Sequence, residues 1–150
     1  YEKNIKMTKQ EVKEEQRQES GNSEVKGRVK SLQRQLSRTR MMNAVPNATV
    51  VVTNPTHIAV ALQYSPNGPS DAPKVVAKGQ RKTAERIKLL AKENDIPVLE
   101  DKPLARTLFQ TLEVGMEIPP IFYQAVAEVL AKVFQMQRNN PYLKSTLAHG

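Results

Sequence analysis

The 150-residue chain contains no cysteine. Disulfides and thiolate metal sites are therefore excluded, and the composition suits a reducing compartment. His57 and His149 are the only histidines, and neither sits in an HExxH-like spacing. No metal site and no other cofactor is expected. Tryptophan is absent and aromatics make up only 5% of residues. No apolar run approaches the ~20 residues of a membrane-spanning helix, and no secretory signal is present. The sequence also lacks GxSxG, a P-loop and paired-carboxylate spacing, so a turnover enzyme is not expected. The chain opens on Tyr1 rather than Met, which reads as a piece of a longer protein. A transmembrane part outside this piece stays open.

What is present is mostly positive charge, and it is unevenly placed. The formal net charge is +8 and the hydrophobic share 39%, the latter below the ~45–50% of an ordinary globular domain. Residues 1–42 hold 11 basic and 6 acidic residues, hence +5 of that total. Residues 1–19 have almost no large apolar side chains but many helix formers, which predicts a solvated helix or a flexible linker. "SGNS" at 20–23 predicts a break with N-cap material. Val25, Val29, Leu32 and Leu36 then recur at spacings of 4, 3 and 4. That stripe predicts an amphipathic helix over 24–42 that packs one side on the domain.

Beyond Pro46 the pattern changes. Thr49–Thr53 is β-branched throughout, and Ile58–Tyr64 alternates with a period of two, so both predict strands. "SPNGPSDAP" at 65–73 predicts a loop, and "KVVAK" at 74–78 a third strand. Ala84, Ile87, Leu90 and Ala91 share one face of a helix over 82–94. A short strand follows at 96–99. Asp101 suits an N-cap, with Pro103 in the first turn of a helix carrying Leu104, Leu108 and Leu112 and ending near Gly115. Pro119-Pro120 open a last helix with a wide apolar stripe.

The expected fold is α/β: a small mixed four-stranded sheet covered by helices, preceded by a long N-terminal linker helix. Residues 1–42 form the basic linker, 43–138 the α/β domain and 139–150 a flexible tail.

Four residues between two strands carry the chemistry: Asn54, Pro55, Thr56 and His57. Asn and Pro are turn formers, so a plain hairpin turn accounts for their presence. The dipeptide also has a specific reactivity. At most Asn-Xaa bonds the following backbone N–H attacks the side chain and deamidates it. Pro55 has no N–H. What remains is attack by the Asn54 side-chain nitrogen on its own backbone carbonyl. That breaks the Asn54–Pro55 bond and leaves a cyclic imide. The amide is a weak nucleophile, so the fold must hold it in place, an effect worth ~7–11 kcal/mol. A strained turn between fixed strands is one way to store that geometry. His57 suits proton transfer, with an unperturbed pKa of about 6.5. The Thr56 hydroxyl or N–H suits the developing oxyanion.

"VTNPTHIAVALQY" resembles the autocleavage segment of the FlhB/YscU family, the substrate-specificity switch proteins of type III export systems. "EVKGRVKSLQRQLSRTRMM", "APKVVAKG", "IPVLEDKPLAR" and "IPPIFYQAVAEVLAKVF" follow the family's order, and "APKVVAKG" and "YQAVAEVL" look most like its flagellar branch. The resemblance covers most of residues 1–138. It implies a single self-cleavage between Asn54 and Pro55, with Thr56 and His57 completing the motif. It implies a domain on the cytoplasmic face of the bacterial inner membrane at the flagellar base, joined to a membrane-embedded part absent here, the fragment itself being soluble. The implied role is to switch export from rod- and hook-type to filament-type substrates. Implied partners are other export-gate components, a hook-length ruler protein and the flagellar export substrates. Ala72, Pro73, Ala127 and Leu130 match positions near the implied substrate-binding patch. Plain helix core is the competing account of Ala127 and Leu130.

Two binding classes compete. Net charge permits nucleic-acid binding, but the basic helix lacks interleaved aromatics and no DNA- or RNA-binding motif is found, so none is expected. Lys26, Arg28, Lys30, Arg34, Arg38 and Arg40 also suit anionic lipid headgroups. Asn54 is consumed by its own reaction, so the chemistry is single-turnover processing rather than enzymatic turnover.

Overall fold

A computed structural model describes residues 9–66 and 72–140, with side chains from residue 21 onward. The outer ends of the expected linker (1–8) and tail (141–150), and the middle of the expected 65–73 loop (67–71), lie outside the described residues. The chain divides into two units, residues 1–39 and 40–150.

Helix α1 runs from Lys9 to Ala44, 36 residues without interruption. The expected break at Ser20–Ser23 is not there. Gly, Asn and Ser cost helix propensity, but stopping and renucleating a helix costs more than propagating one through four poor residues. Val25, Val29, Leu32 and Leu36 are 47–60% exposed on this helix. One apolar residue per turn is far narrower than the face a buried helix presents. None of the described helices is long and apolar enough to cross a membrane.

In the second unit Val45–Asn47 forms a single 3-10 turn with Pro46 inside it. The strands β1 (Val50–Asn54), β2 (Ile58–Gln63), β3 (Lys74–Gln80) and β4 (Val98–Glu100) follow, with helix α2 (Lys82–Glu93) between β3 and β4. Helices α3 (Lys102–Thr111) and α4 (Tyr123–Asn139) complete the unit. The sheet order is β3-β2-β1-β4. β1 pairs antiparallel with β2, and β2 with β3, across a register shift at Ala61/Leu62. β1 pairs parallel with β4, which makes the sheet mixed. β1 is thus an interior strand, and all five of its residues are buried.

Alternation along the strands feeds two cores. Val50, Val52, Val60, Leu62 and Val75 face Leu104, Leu108, Val126 and Val133 of α3 and α4. Val51, Ala59, Ala61 and Ala77 face Ala84, Ile87 and Ala91 of α2. The alanines of β2 are what let α2 lie close on that side. Both faces being covered explains why β1 reads as an unbroken run of β-branched residues.

The element ends follow local chemistry. Asp101 caps α3 as expected, its Oδ1 accepting the Leu104 N–H at 3.2 Å. The α3 helix stops at Thr111 rather than near Gly115, because Leu112 turns extended to bury its side chain. Gly115 instead sits at φ 94° in the following turn and donates its N–H to the Val75 carbonyl at 2.7 Å. β4 begins at Val98, two residues later than expected. Ile96 is still closing α2, donating its N–H to Ala91 at 2.8 Å across a left-handed Asp95 (φ 57°).

Candidate functional site

Asn54 is the last residue of β1 and is 8% exposed. Its neighbours fix it from both sides. In the ladder with β2 it lies opposite Ile58. One residue earlier, Thr53 accepts the Asp101 N–H at 3.0 Å and donates its hydroxyl to the Leu99 carbonyl at 3.3 Å. The chain then reverses through Pro55 and Thr56, and the His57 N–H donates to the Asn54 carbonyl at 3.0 Å. This is a β-turn, and Pro55 occupies the corner position its fixed φ favours. No residue from Asn54 to His57 has a left-handed φ, so the expected stored strain is not in the turn's backbone.

The turn is held from outside by the β3–α2 junction. Arg81 donates its N–H to the His57 carbonyl at 3.0 Å. To do so it adopts φ 55°, ψ −121°, a conformation normally left to glycine. Two residues before it, Gly79 has no room for a side chain: a Cβ there would lie 2.3 Å from Thr83 Cγ2. From the second turn of α2, Lys88 donates its ammonium to the Pro55 carbonyl at 2.8 Å. The same ammonium is 2.8 Å from Glu85 Oε1.

The four motif residues lie together in one turn. The carbonyl of the Asn54–Pro55 bond belongs to Asn54. Its hydrogen-bond donor is the His57 backbone N–H, not a Thr56 group. Thr56 and the His57 side chain are exposed. Among the described residues nothing hydrogen-bonds the Asn54 side-chain amide, although it is buried. A buried amide with no protein partner calls for an explanation. Here no hydrogen bond among the described residues ties the side-chain nitrogen away from its own carbonyl. Lys88 and Arg81 had no sequence signal. Lys88 looks like any lysine on the polar face of α2, and its partner lies 33 residues away.

A second feature lies at the other end of β2, about 17–20 Å away for a strand of this length. Tyr64, Pro73, Tyr123, Ala127, Leu130 and Phe134 line a pocket of about 320 Å³. It brings together three of the four residues expected at the substrate patch. Ala72 precedes Pro73 but does not line the pocket. Leu130 is 6% exposed and belongs to the core as well, whereas Ala127 is exposed.

Comparison with known proteins bears on the family of the chain. Residues 1–133 match the family described as "FlhB HrpN YscU SpaS Family". The flagellar biosynthetic protein FlhB of Aquifex aeolicus is 52% identical over 133 residues, covering 89% of this chain and 38% of that protein. The Escherichia coli FlhB is 50% identical over 136 residues, covering 91% and 35%. The chain therefore spans a little over a third of the length of these relatives. The crystal structure of the cytoplasmic domain of FlhB from Shewanella putrefaciens superposes with a TM-score of 0.65 at 40% identity, covering 72% of this chain and 83% of that one. A mutated EscU C-terminal domain gives 0.59 at 38% identity, covering 62% and 92%. With the family match running over residues 1–133, through the turn and the whole sheet, this chain belongs to the FlhB/HrpN/YscU/SpaS family and is similar to the cytoplasmic domain of its flagellar members.

Proposed function

We propose that this chain is the self-cleaving cytoplasmic part of a flagellar type III export protein, and that cleavage between Asn54 and Pro55 switches export from rod- and hook-type to filament-type substrates. One observation carries the chemistry. A buried Asn54, its side-chain amide without a hydrogen-bond partner among the described residues, precedes a proline while its own carbonyl is engaged by the His57 N–H at 3.0 Å.

The steps follow from that geometry. The Asn54 side-chain nitrogen attacks the Asn54 carbonyl carbon and loses a proton. Negative charge builds on the carbonyl oxygen, where the His57 N–H already points. The bond from that carbon to the Pro55 nitrogen breaks, and the nitrogen leaves as a secondary amine after gaining a proton. The exposed His57 imidazole is the group we assign to carry protons between the two nitrogens. Residues 1–54 end in a cyclic imide and residues 55–150 begin with a charged proline. The site residue is spent, so each molecule reacts once.

The switch is then a change of surface. A turn that was closed by a covalent bond becomes two ends, one of them cationic. The apolar pocket around Pro73, Ala127 and Leu130 is the surface we assign to export substrates, with Ala72 at its edge. Export-gate components and a hook-length ruler protein are the remaining proposed partners, and the cytoplasmic face of the inner membrane the proposed location. The names of the flagellar relatives support this reading.

Intact-mass spectrometry of the purified chain tests the chemistry. Two species split after Asn54 are expected, their masses summing to that of the whole chain because cyclisation consumes no water. A sum heavier by one water from freshly formed fragments points to hydrolysis instead. Asn54→Ala is expected to give one uncut species, and a variant that still splits overturns the mechanism. Ala127→Glu, which puts charge at the pocket mouth, is expected to weaken capture of hook-type substrates. Unchanged capture removes the pocket from the reading.

A further inference from the structure

Three carbonyls of the turn are held by donors: Asn54 by the His57 N–H, His57 by the Arg81 N–H, and Pro55 by the Lys88 ammonium. The first two are backbone groups. Lys88 is the only side chain among them. Its side chain is 20% exposed, so it reaches the carbonyl across the flank of α2 and gives up most of its hydration to do so. A lysine seldom surrenders water without return, and Glu85 alone does not require it. Glu85 is 66% exposed and three residues away on the same helix, a pairing that an outward-pointing lysine makes equally well. What the inward reach adds is a charge-assisted bond to the residue just past the scissile position.

Resting on the cleavage reading above, we propose that Lys88 is a positioning residue for the self-cleavage of the Asn54–Pro55 bond. Its ammonium touches neither reacting atom. It pins the Pro55 carbonyl, and with it the orientation of the Pro55 ring and of the bond that must break. Pro55 has no N–H through which the backbone could hold it. The carbonyl is its one strong handle, and Lys88 occupies that handle from outside the hairpin.

The test measures cleavage rates by intact mass from freshly refolded chains. Lys88→Met keeps the stem and removes the donor, and cleavage is expected to slow by about 10- to 100-fold. Lys88→Arg, which restores a cationic donor, is expected to recover most of the rate. Glu85→Gln removes the carboxylate that shares the ammonium and is expected to leave the rate at or above that of the parent. Each substitution is also placed in the uncleavable Asn54→Ala chain, where the thermal midpoint should not move. If Lys88→Met cleaves at the parent rate, the proposal fails. It also fails if Glu85→Gln slows cleavage as much as Lys88→Met, or if the slow variants lose thermal stability in proportion, because the effect then belongs to α2. If the unsubstituted chain does not split, the cleavage reading itself falls and Lys88 with it. A parent that splits while Lys88→Met splits equally fast removes Lys88 alone.

Discussion

Cutting the chain after Asn54 leaves β1 on residues 1–54 and β2, β3 and β4 on residues 55–150. Because β1 is the interior strand of the order β3-β2-β1-β4, the cut runs through the middle of the sheet. Val45, Val50, Val51 and Val52, all on the first piece, are 0% exposed. At about 1.5–3 kcal/mol each, their burial contributes about 6–12 kcal/mol to cohesion. The ladders to β2 and β4 add roughly 0.5–1.5 kcal/mol per hydrogen bond. The pieces are therefore expected to stay together, eluting as one peak in native size exclusion and separating only in denaturant. Val52→Ala probes the interface. It deletes two carbons from the core shared with α3 and α4, about 1.6 kcal/mol of transfer free energy plus a cavity term. A total of about 2–3 kcal/mol is expected. In the cut protein that loss weakens association of the pieces by roughly 30- to 150-fold, measurable by dilution. In the uncut Asn54→Ala chain the same loss appears as reduced unfolding free energy in urea. Separate elution of the unsubstituted pieces, or an association unchanged by Val52→Ala, would refute the argument that the sheet holds them.

Other expectations follow from single residues. His57→Ala keeps the backbone N–H that points at the Asn54 carbonyl, so cleavage should slow by about 100-fold rather than stop; an unchanged rate removes the imidazole from the mechanism. Arg81→Gly relieves a left-handed backbone while keeping the N–H that holds His57. It should stabilise the uncut chain by about 1 kcal/mol, read as a higher thermal midpoint, and a lower one contradicts the strain argument. Asp101→Ala removes the acceptor for the Leu104 N–H and should cost about 1 kcal/mol in urea unfolding; no shift in midpoint would mean the cap contributes nothing.

Much of the fold was legible because it rests on local periodicity. The β-branched run of β1, the alternation of β2 and the apolar faces of α2, α3 and α4 each report a face that must be buried, and the structure buries them. Asp101 was legible as a cap because the capping interaction spans only three residues. The readings of α1 failed where local signals compete with cooperativity and context. Ser-Gly-Asn-Ser looks like a break, but a long helix carries through it. A stripe of one apolar residue per turn looks like a buried face, but periodicity does not say whether anything covers it.

At the candidate site the division is sharper. The dipeptide Asn54-Pro55 carries its chemistry in covalent structure alone. A proline nitrogen without hydrogen closes the deamidation route in any conformation. The sequence by itself therefore determined which bond the proposed reaction would break and which atom would attack it. Only the tertiary structure decided what surrounds that bond. It placed the His57 N–H, rather than Thr56, on the Asn54 carbonyl, and buried Asn54 with no hydrogen bond to its side chain among the described residues. It brought Arg81 and Lys88 to the turn from an element 24 or more residues further along the chain. It also gathered Pro73, Ala127 and Leu130 around one pocket. Such contacts depend on how strands register and on which helix covers which face of the sheet. Those are long-range choices, made by packing the whole core at once, and no short window of sequence carries them.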